Sequence, residues 1–375
     1  MRQTRARVDL DAIASNYRVL AAFVGDAARD AGRAAPRVMP VVKANAYGHG
    51  AARVALALEA AGAPMLAVAD IEEGILLRES GVRVPVLVFG ALSISDPEGL
   101  FTHALTPTVS TPGAAATLER AAAARGVRLA CHLKIDTGMN RLGFRHDNLA
   151  RTVPPLVASP HLQVTSVYTH FATADDHEHP LFAQQSERFQ AALATLASLG
   201  LVPGEIHAAN SAALVRDERV WYDLVRPGLL IYGVNPPPGT TTLALRPAMS
   251  LLSRVVSVKD MRAGEGVGYG MRFTANEPRR IAVVPAGYAD GIDTRLANRG
   301  WVLVRGRRVP VVGSVCMDMM MIDVTGMDVS PGDEVVIVGR QGDEVLDVRE
   351  VAATVGTIPW DLLCRVGARI ERVYG

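Results

Sequence analysis

The chain has 375 residues, 49% of them hydrophobic, which is enough for a large buried core and suggests about two domains. Its 39 basic and 38 acidic side chains leave a net charge of +1, so the basic field needed to hold a nucleic acid is absent. Three widely spaced cysteines, Cys131, Cys316 and Cys364, argue against a disulfide framework or a paired-cysteine zinc site. The sequence also lacks an apolar leader and any ~20-residue apolar span, which points to a cytoplasmic protein with no membrane partner.

Taken in order, short apolar runs alternate with helical patterns. The runs predict eight strands, at residues 38–43, 65–69, 85–90, 105–110, 129–135, 163–170, 205–209 and 224–232. Helix-like stretches at 50–61, 71–79, 112–125 and 181–199 lie between them, several rich in alanine. Strands buried on both faces read as unbroken apolar runs, as these do, and eight such βα repeats predict a (β/α)8 barrel of the TIM type. Beyond the stiff, proline-rich stretch at 235–239, strands alternate with turns at 250–258, 281–285, 302–305, 309–312, 319–324 and 334–338. This predicts a mostly β C-terminal domain with little helix before 348–355. The expected division is a barrel over residues 11–237 and a β domain over 238–375, with the initial strand within 1–10 added to the latter.

The chemistry centres on the end of the first run. Lysine occurs only at Lys43, Lys134 and Lys259 in this arginine-rich chain. A desolvated lysine can lose its proton and act as a nucleophile, which arginine cannot, so Lys43 at a strand end is a candidate Schiff-base lysine. Lys134, Asp136, His170, Asn210 and Ser211 also fall at or just past strand ends, which share one rim in a barrel. In KIDTGMNRLG, Arg141 could grip a carboxylate bidentately. Ser211 lies at the end of strand seven and Gly228 interrupts strand eight, and barrels often bind phosphate through backbone N–H groups of the loops after these two strands. The acidic and histidine-rich run 175–179 is better read as a solvated loop than a metal site, because consecutive residues seldom converge on one ion. GEGVGYG, residues 264–270, lacks the spacing of a nucleotide loop, and Tyr269 is its chemically interesting member.

The ordered motifs VVKANAYGHG, LKIDTGMNRLG, YTHFATAD, ANSAA, VRPGLLIYG, VGYG, GYADG and VCMD span nearly the whole chain. Together they resemble the alanine racemase family, enzymes of pyridoxal 5'-phosphate with a two-domain barrel architecture. The resemblance implies that Lys43 holds the cofactor and that Tyr47, Ser211, Gly228 and Leu229 bind its phosphate. It implies that Arg226 faces the pyridine nitrogen, where a guanidinium can only donate and so leaves the ring a weaker electron sink. Lys43 and a partner subunit's tyrosine, at the position of Tyr269, would be the two bases, with His170 and Arg226 supporting the phenolate. Arg141 and Met317 would bind substrate, with Lys134, carbamylated in many members, orienting Arg141. Tyr288 and Asp318 would lie around the substrate entrance.

A homodimer with shared sites, interconverting L- and D-alanine for peptidoglycan, is the implied function, with no metal. Ala368 stands where many relatives carry a pocket-narrowing tyrosine, so a broader range including serine is an alternative. A barrel-type decarboxylase is another, opposed by Arg226, Tyr269 and the CMD motif. A non-catalytic cofactor carrier would be a barrel alone, and a metal-dependent barrel hydrolase would need spaced ligands.

Overall fold

A computed structural model describes residues 3–90, 97–236 and 243–375. Residues 237–239 of the expected proline-rich linker, the expected boundary at 237/238 and the first two residues of the expected N-terminal addition lie outside it. The chain divides into two compact units, one of residues 13–46 and 51–245 and the other of residues 1–12, 47–50 and 246–375.

The first unit is a parallel barrel of eight strands, with a ninth short strand among the described residues, Phe144–Arg145, paired to Leu129–Asp136 off the barrel path. Leu66–Val68, Val86–Val88, Thr106–Val109, Leu129–Asp136, Leu162–Tyr168, Glu205–Asn210, Leu224–Arg226 and Arg37–Val38 are hydrogen-bonded in that order. A parallel bridge from Val41 to Ala67 joins the first strand back to the second. All eight strands fall within or beside the windows expected from apolar runs. The short strands Leu66–Val68 and Val86–Val88 are buried at every residue, as parallel strands covered on both faces must be. Helices Ala51–Ala60, Ile71–Glu79, Pro112–Ala124 and Leu181–Ser198 occupy the expected intervals. Two start at side-chain caps: Asp70 accepts from the Glu73 N–H and Thr111 from the Ala114 N–H, the latter ahead of a proline in the first turn.

Two barrel strands are shorter than expected, for local reasons. The first is interrupted around Pro40, which has no N–H to give to a ladder. The eighth stops at Arg226 because Pro227 follows, and Leu229–Tyr232 winds into a 3-10 turn instead of extending the strand.

The second unit is a ten-stranded sheet among the described residues. Its path runs Ser257–Met261, Arg279–Val284, Met320–Asp323, Arg307–Val312, Trp301–Val304, Glu334–Gln341, Met249–Arg254, Arg5–Val8 and Glu371–Tyr374, with Glu344–Leu346 paired to Glu334–Gln341. Neighbours are antiparallel except Arg5–Val8 and Glu371–Tyr374. Val267, Ile281, Val312 and Met321 form an apolar cluster on one stretch of this sheet. The helix Val348–Val355 matches its expected bounds and ends at Gly356 in the left-handed conformation. No helix of the described residues is long and apolar enough to cross a membrane.

Candidate active site

The lysine that follows the first barrel strand and its Val41 bridge opens an unusual turn. Val42 is buried and donates its N–H to the Ala67 carbonyl at 2.8 Å, so the backbone is still tied to the second strand one residue before Lys43. The next four residues, Ala44, Asn45, Ala46 and Tyr47, all have φ between 51° and 55°. For residues with a Cβ this left-handed conformation costs about 1–2 kcal/mol each, so something must hold it. Glu73 does part of this: one carboxylate oxygen accepts the Ala44 N–H at 2.6 Å and the other the Ala69 N–H at 2.8 Å. Asn45 adds a second tether by accepting the Ala51 N–H at 2.8 Å. Strain of this kind is typical of functional turns.

Inside the same unit a buried, cation-rich cluster gathers at the ends of strands five to eight. Arg226 donates to the Thr169 carbonyl at 2.8 Å, the Ala208 carbonyl at 2.9 Å and His207 Nδ1 at 2.8 Å, with His170 Nδ1 at 3.3 Å. Because His207 accepts at Nδ1, its proton sits on Nε2 and is donated to His132 Nδ1 at 3.1 Å. Burial, reinforced by the Arg226 charge, lowers all three imidazoles: His132 to about 4, and His170 and His207 well below their ordinary value. These rings are therefore neutral near pH 7. Lys134 is buried, with its Nζ 5.6 Å from the centre of the Tyr168 ring. Burial first, then Arg141 and Arg226, push its amine down to about 7. Tyr168 stacks on His207 at 4.6 Å and bonds Thr108 at 3.0 Å, and burial pushes its phenol up to about 12.

Strands seven and eight end beside each other in a polar corner. Asn210 caps the helix Ser211–Arg216 by accepting the Ala213 N–H, and Ser211 Oγ accepts the Gly228 N–H at 2.9 Å. The Ser211 hydroxyl hydrogen is thereby left to donate elsewhere. Leu229 opens a helical turn, whose first N–H groups have no acceptor within the turn.

The remaining sequence-derived residues lie in the strand-rich unit. Tyr269 is 78% exposed on a 3-10 turn with Gly268 and Gly270 in positive φ, and Ser314 Oγ donates to its carbonyl at 2.8 Å. Tyr288, Met317 and Asp318 come together because the GYADG and VCMD motifs are laced: Tyr288 N donates to the Cys316 carbonyl and Ala289 N to the Met317 carbonyl, each at 3.0 Å. A Cβ on Gly287 would lie 2.3 Å from both of the carbonyl oxygens of Cys316 and Met317, so glycine is required there. Arg369 joins the buried Asp290 and the exposed Asp318, each at 2.8 Å. Tyr47 also belongs to this unit, and burial, with Cys364 nearby, raises its phenol. Ala368 is exposed.

Thus burial first, and then the charges of Arg226, Arg141 and Lys43, lower both Lys134 and His170, which places these five residues in one neighbourhood. His132, His207, Tyr168, Glu73 and Arg369 were missed by sequence reasoning. His207 was within reach of it, since it lies on strand seven two residues before the ANSAA motif, whereas His132 and Glu73 carry no local signal. Among the described residues no three His, Cys, Asp or Glu side chains are placed to hold a metal ion. In the 175–179 run, Asp176 and His179 accept backbone N–H groups from Glu178 and Leu181.

Residues 8–236 match the family model for the alanine racemase N-terminal domain, and residues 248–374 that for the alanine racemase C-terminal domain. An alanine racemase of Symbiobacterium thermophilum is 42% identical over 377 residues, spanning 100% of this chain and 98% of that protein. The crystal structure of alanine racemase from D-cycloserine-producing Streptomyces lavendulae superimposes with a TM-score of 0.94 at 35% identity, covering 100% of this chain and 97% of the other. That of alanine racemase from Bartonella henselae, with covalently bound pyridoxal phosphate, does so with a TM-score of 0.86 at 28% identity over the whole of both chains. With both halves matched and such identity along its full length, this chain belongs to the alanine racemase family of isomerases.

Proposed function

We propose that the protein uses pyridoxal 5'-phosphate to interconvert L-alanine and D-alanine by a two-base mechanism, in the cytoplasm, as a homodimer that shares its active sites. Supply of D-alanine for peptidoglycan is the corresponding role. The observation that carries this reading is the buried, firmly held guanidinium of Arg226. Its Nη atoms donate to Thr169, Ala208 and His207, which fixes the plane of the group, while among the described residues no acceptor takes its Nε–H. That donor fits an aromatic nitrogen and fits no group that must itself donate.

The donor set suits the rest of the cofactor too. Lys43 would hold its aldehyde carbon, while Ser211, Gly228, Leu229 and Tyr47 would bind the phosphate. When bound, the cofactor withdraws electrons from the substrate's α-carbon and so acidifies its proton. Arg226 limits that withdrawal, because it offers the ring nitrogen no proton, and thereby disfavours reactions that need a full electron sink. A pyridoxal-phosphate decarboxylase would call for an acidic partner there.

Lys43 Nζ and the phenol oxygen of a partner subunit's tyrosine, at position 269, would act on opposite faces of the α-carbon. One removes a proton and the other supplies one, which inverts the centre. An unperturbed phenol near ~10 is mostly protonated at neutral pH, so the Arg226 and His170 pair would have to favour its charged form. His170, neutral through burial, passes on the influence of Arg226 without adding a second cation. Arg141 and Met317 would hold the substrate's carboxylate end, and Lys134 would orient Arg141. Tyr288 and Asp318 would border the entrance. Ala368 leaves room for serine as a second substrate.

The test is incubation with the cofactor and L-alanine in deuterium oxide. D-Alanine labelled at Cα should accumulate, and borohydride reduction followed by peptide mass analysis should place the cofactor on Lys43. Cofactor on another lysine, or unchanged optical rotation, overturns the proposal.

A further inference from the structure

The helix Leu181–Ser198 buries Phe182, Phe189, Ala192 and Leu196 on its inner face, and at the same spacing it buries Gln185 completely. An amide on that apolar stripe is costly unless it is fully used. It is: Gln185 Nε2 donates to Thr137 Oγ1 at 3.1 Å and to the His170 carbonyl at 3.0 Å, and Oε1 accepts the Ala172 N–H at 2.9 Å. Because Thr137 Oγ1 receives this proton, its own hydroxyl is free to donate to Thr169 Oγ1 at 2.8 Å. Thr169 in turn donates to the Ile135 carbonyl at 3.0 Å. One turn along, Arg188 Nη1 donates to the Thr137 carbonyl at 3.0 Å. A single helix thereby fastens the segment that runs from Lys134 to Arg141 to the segment that carries His170.

We infer that Gln185 is a positioning residue for the reaction, setting the spacing between the Lys134–Arg141 loop and His170 through a one-directional chain of hydrogen bonds. The inference rests on the racemase reading for the meaning of those residues, and on the hydrogen bonds alone for the clamp itself. It predicts a particular response to Gln185→Glu. The protonated acid can still donate to the His170 carbonyl, whereas the carboxylate cannot donate at all and faces that oxygen directly. Burial and this repulsion raise the acid's pKa.

The experiment compares the wild type with Gln185→Glu and Gln185→Met. In Gln185→Glu, kcat/KM relative to wild type should fall by at least about tenfold as pH rises through the new acid's pKa, and recover on acidification, since small displacements of catalytic groups are this costly. In Gln185→Met, amide hydrogen exchange in residues 137–143 and 170–174 should quicken on the order of tenfold while the remaining barrel is unaltered. A pH-independent activity ratio, unchanged exchange in both loops, or faster exchange spread over the whole barrel overturns the inference. Should the wild type fail to turn over alanine while the two loops still loosen, the racemase reading falls and the clamp stands. Should alanine be turned over with neither signature present, the clamp falls and the racemase reading stands.

Discussion

His132, His170 and His207 are three imidazoles kept neutral by burial beside Arg226, and this has a consequence for stability that can be signed. A base whose pKa is depressed on folding binds fewer protons in the folded chain than in the unfolded one. Lowering the pH below about 6.5, the unfolded value for histidine, therefore favours unfolding, and for His132 the loss continues until its folded value near 4. His132→Gln retains a group able to bond His207 but cannot titrate. The slope of Tm against pH between about 6.5 and 4 should be shallower in His132→Gln than in the wild type; identical slopes in calorimetric scans would show that His132 titrates normally. None of this was legible in the sequence. The residue types at strand ends pointed to the rim, but the tautomers and depressed pKa values depend on which rings Arg226 touches, and that is a property of closure between strands far apart in the chain.

At the scale of elements, the turn after the first strand is where local propensity and observed structure part most widely. Four successive residues in left-handed conformation, three of them Ala or Asn, are not what alanine's helix preference would suggest. Glu73, from the helix after the second strand, supplies acceptors for two backbone N–H groups that would otherwise be orphaned. Glu73→Gln keeps one accepting oxygen and Glu73→Ala keeps none, so destabilisation should rise in that order, to about 1–3 kcal/mol for the alanine. Urea unfolding measures it, and equal midpoints for wild type and Glu73→Ala would remove Glu73 from the account. The barrel strands themselves were readable because burial on both faces forces unbroken apolar runs, and Leu66–Val68 and Val86–Val88 fall inside their expected windows. The final strand, Glu371–Tyr374, was not readable, since its alternating exposed and half-buried residues carry no continuous apolar run. Nor could any local pattern give its parallel pairing with Arg5–Val8 at the opposite end of the chain.

For the whole molecule, the proposed shared sites yield the sharpest test. In the strand-rich unit Tyr269, Met271, Met317 and Met319 are 78%, 63%, 53% and 46% exposed, a concentration of large side chains in water that suits an association surface. If each site takes Lys43 from one subunit and Tyr269 from the other, neither Lys43→Ala nor Tyr269→Ala dimers hold a complete pair of bases. A mixed dimer behaves differently. Its Tyr269→Ala chain supplies Lys43 and its Lys43→Ala chain supplies Tyr269 to one site, while the other site lacks both. Random exchange makes roughly half the dimers mixed, each with one of two sites intact, so an equimolar mixture should recover roughly a quarter of wild-type turnover. The recovery must also fade on dilution at a constant ratio of the two variants, because the complete site exists only in the associated state. A mixture as inactive as its parents, after exchange has been verified by mass-tagged subunits, would mean that both bases come from a single chain.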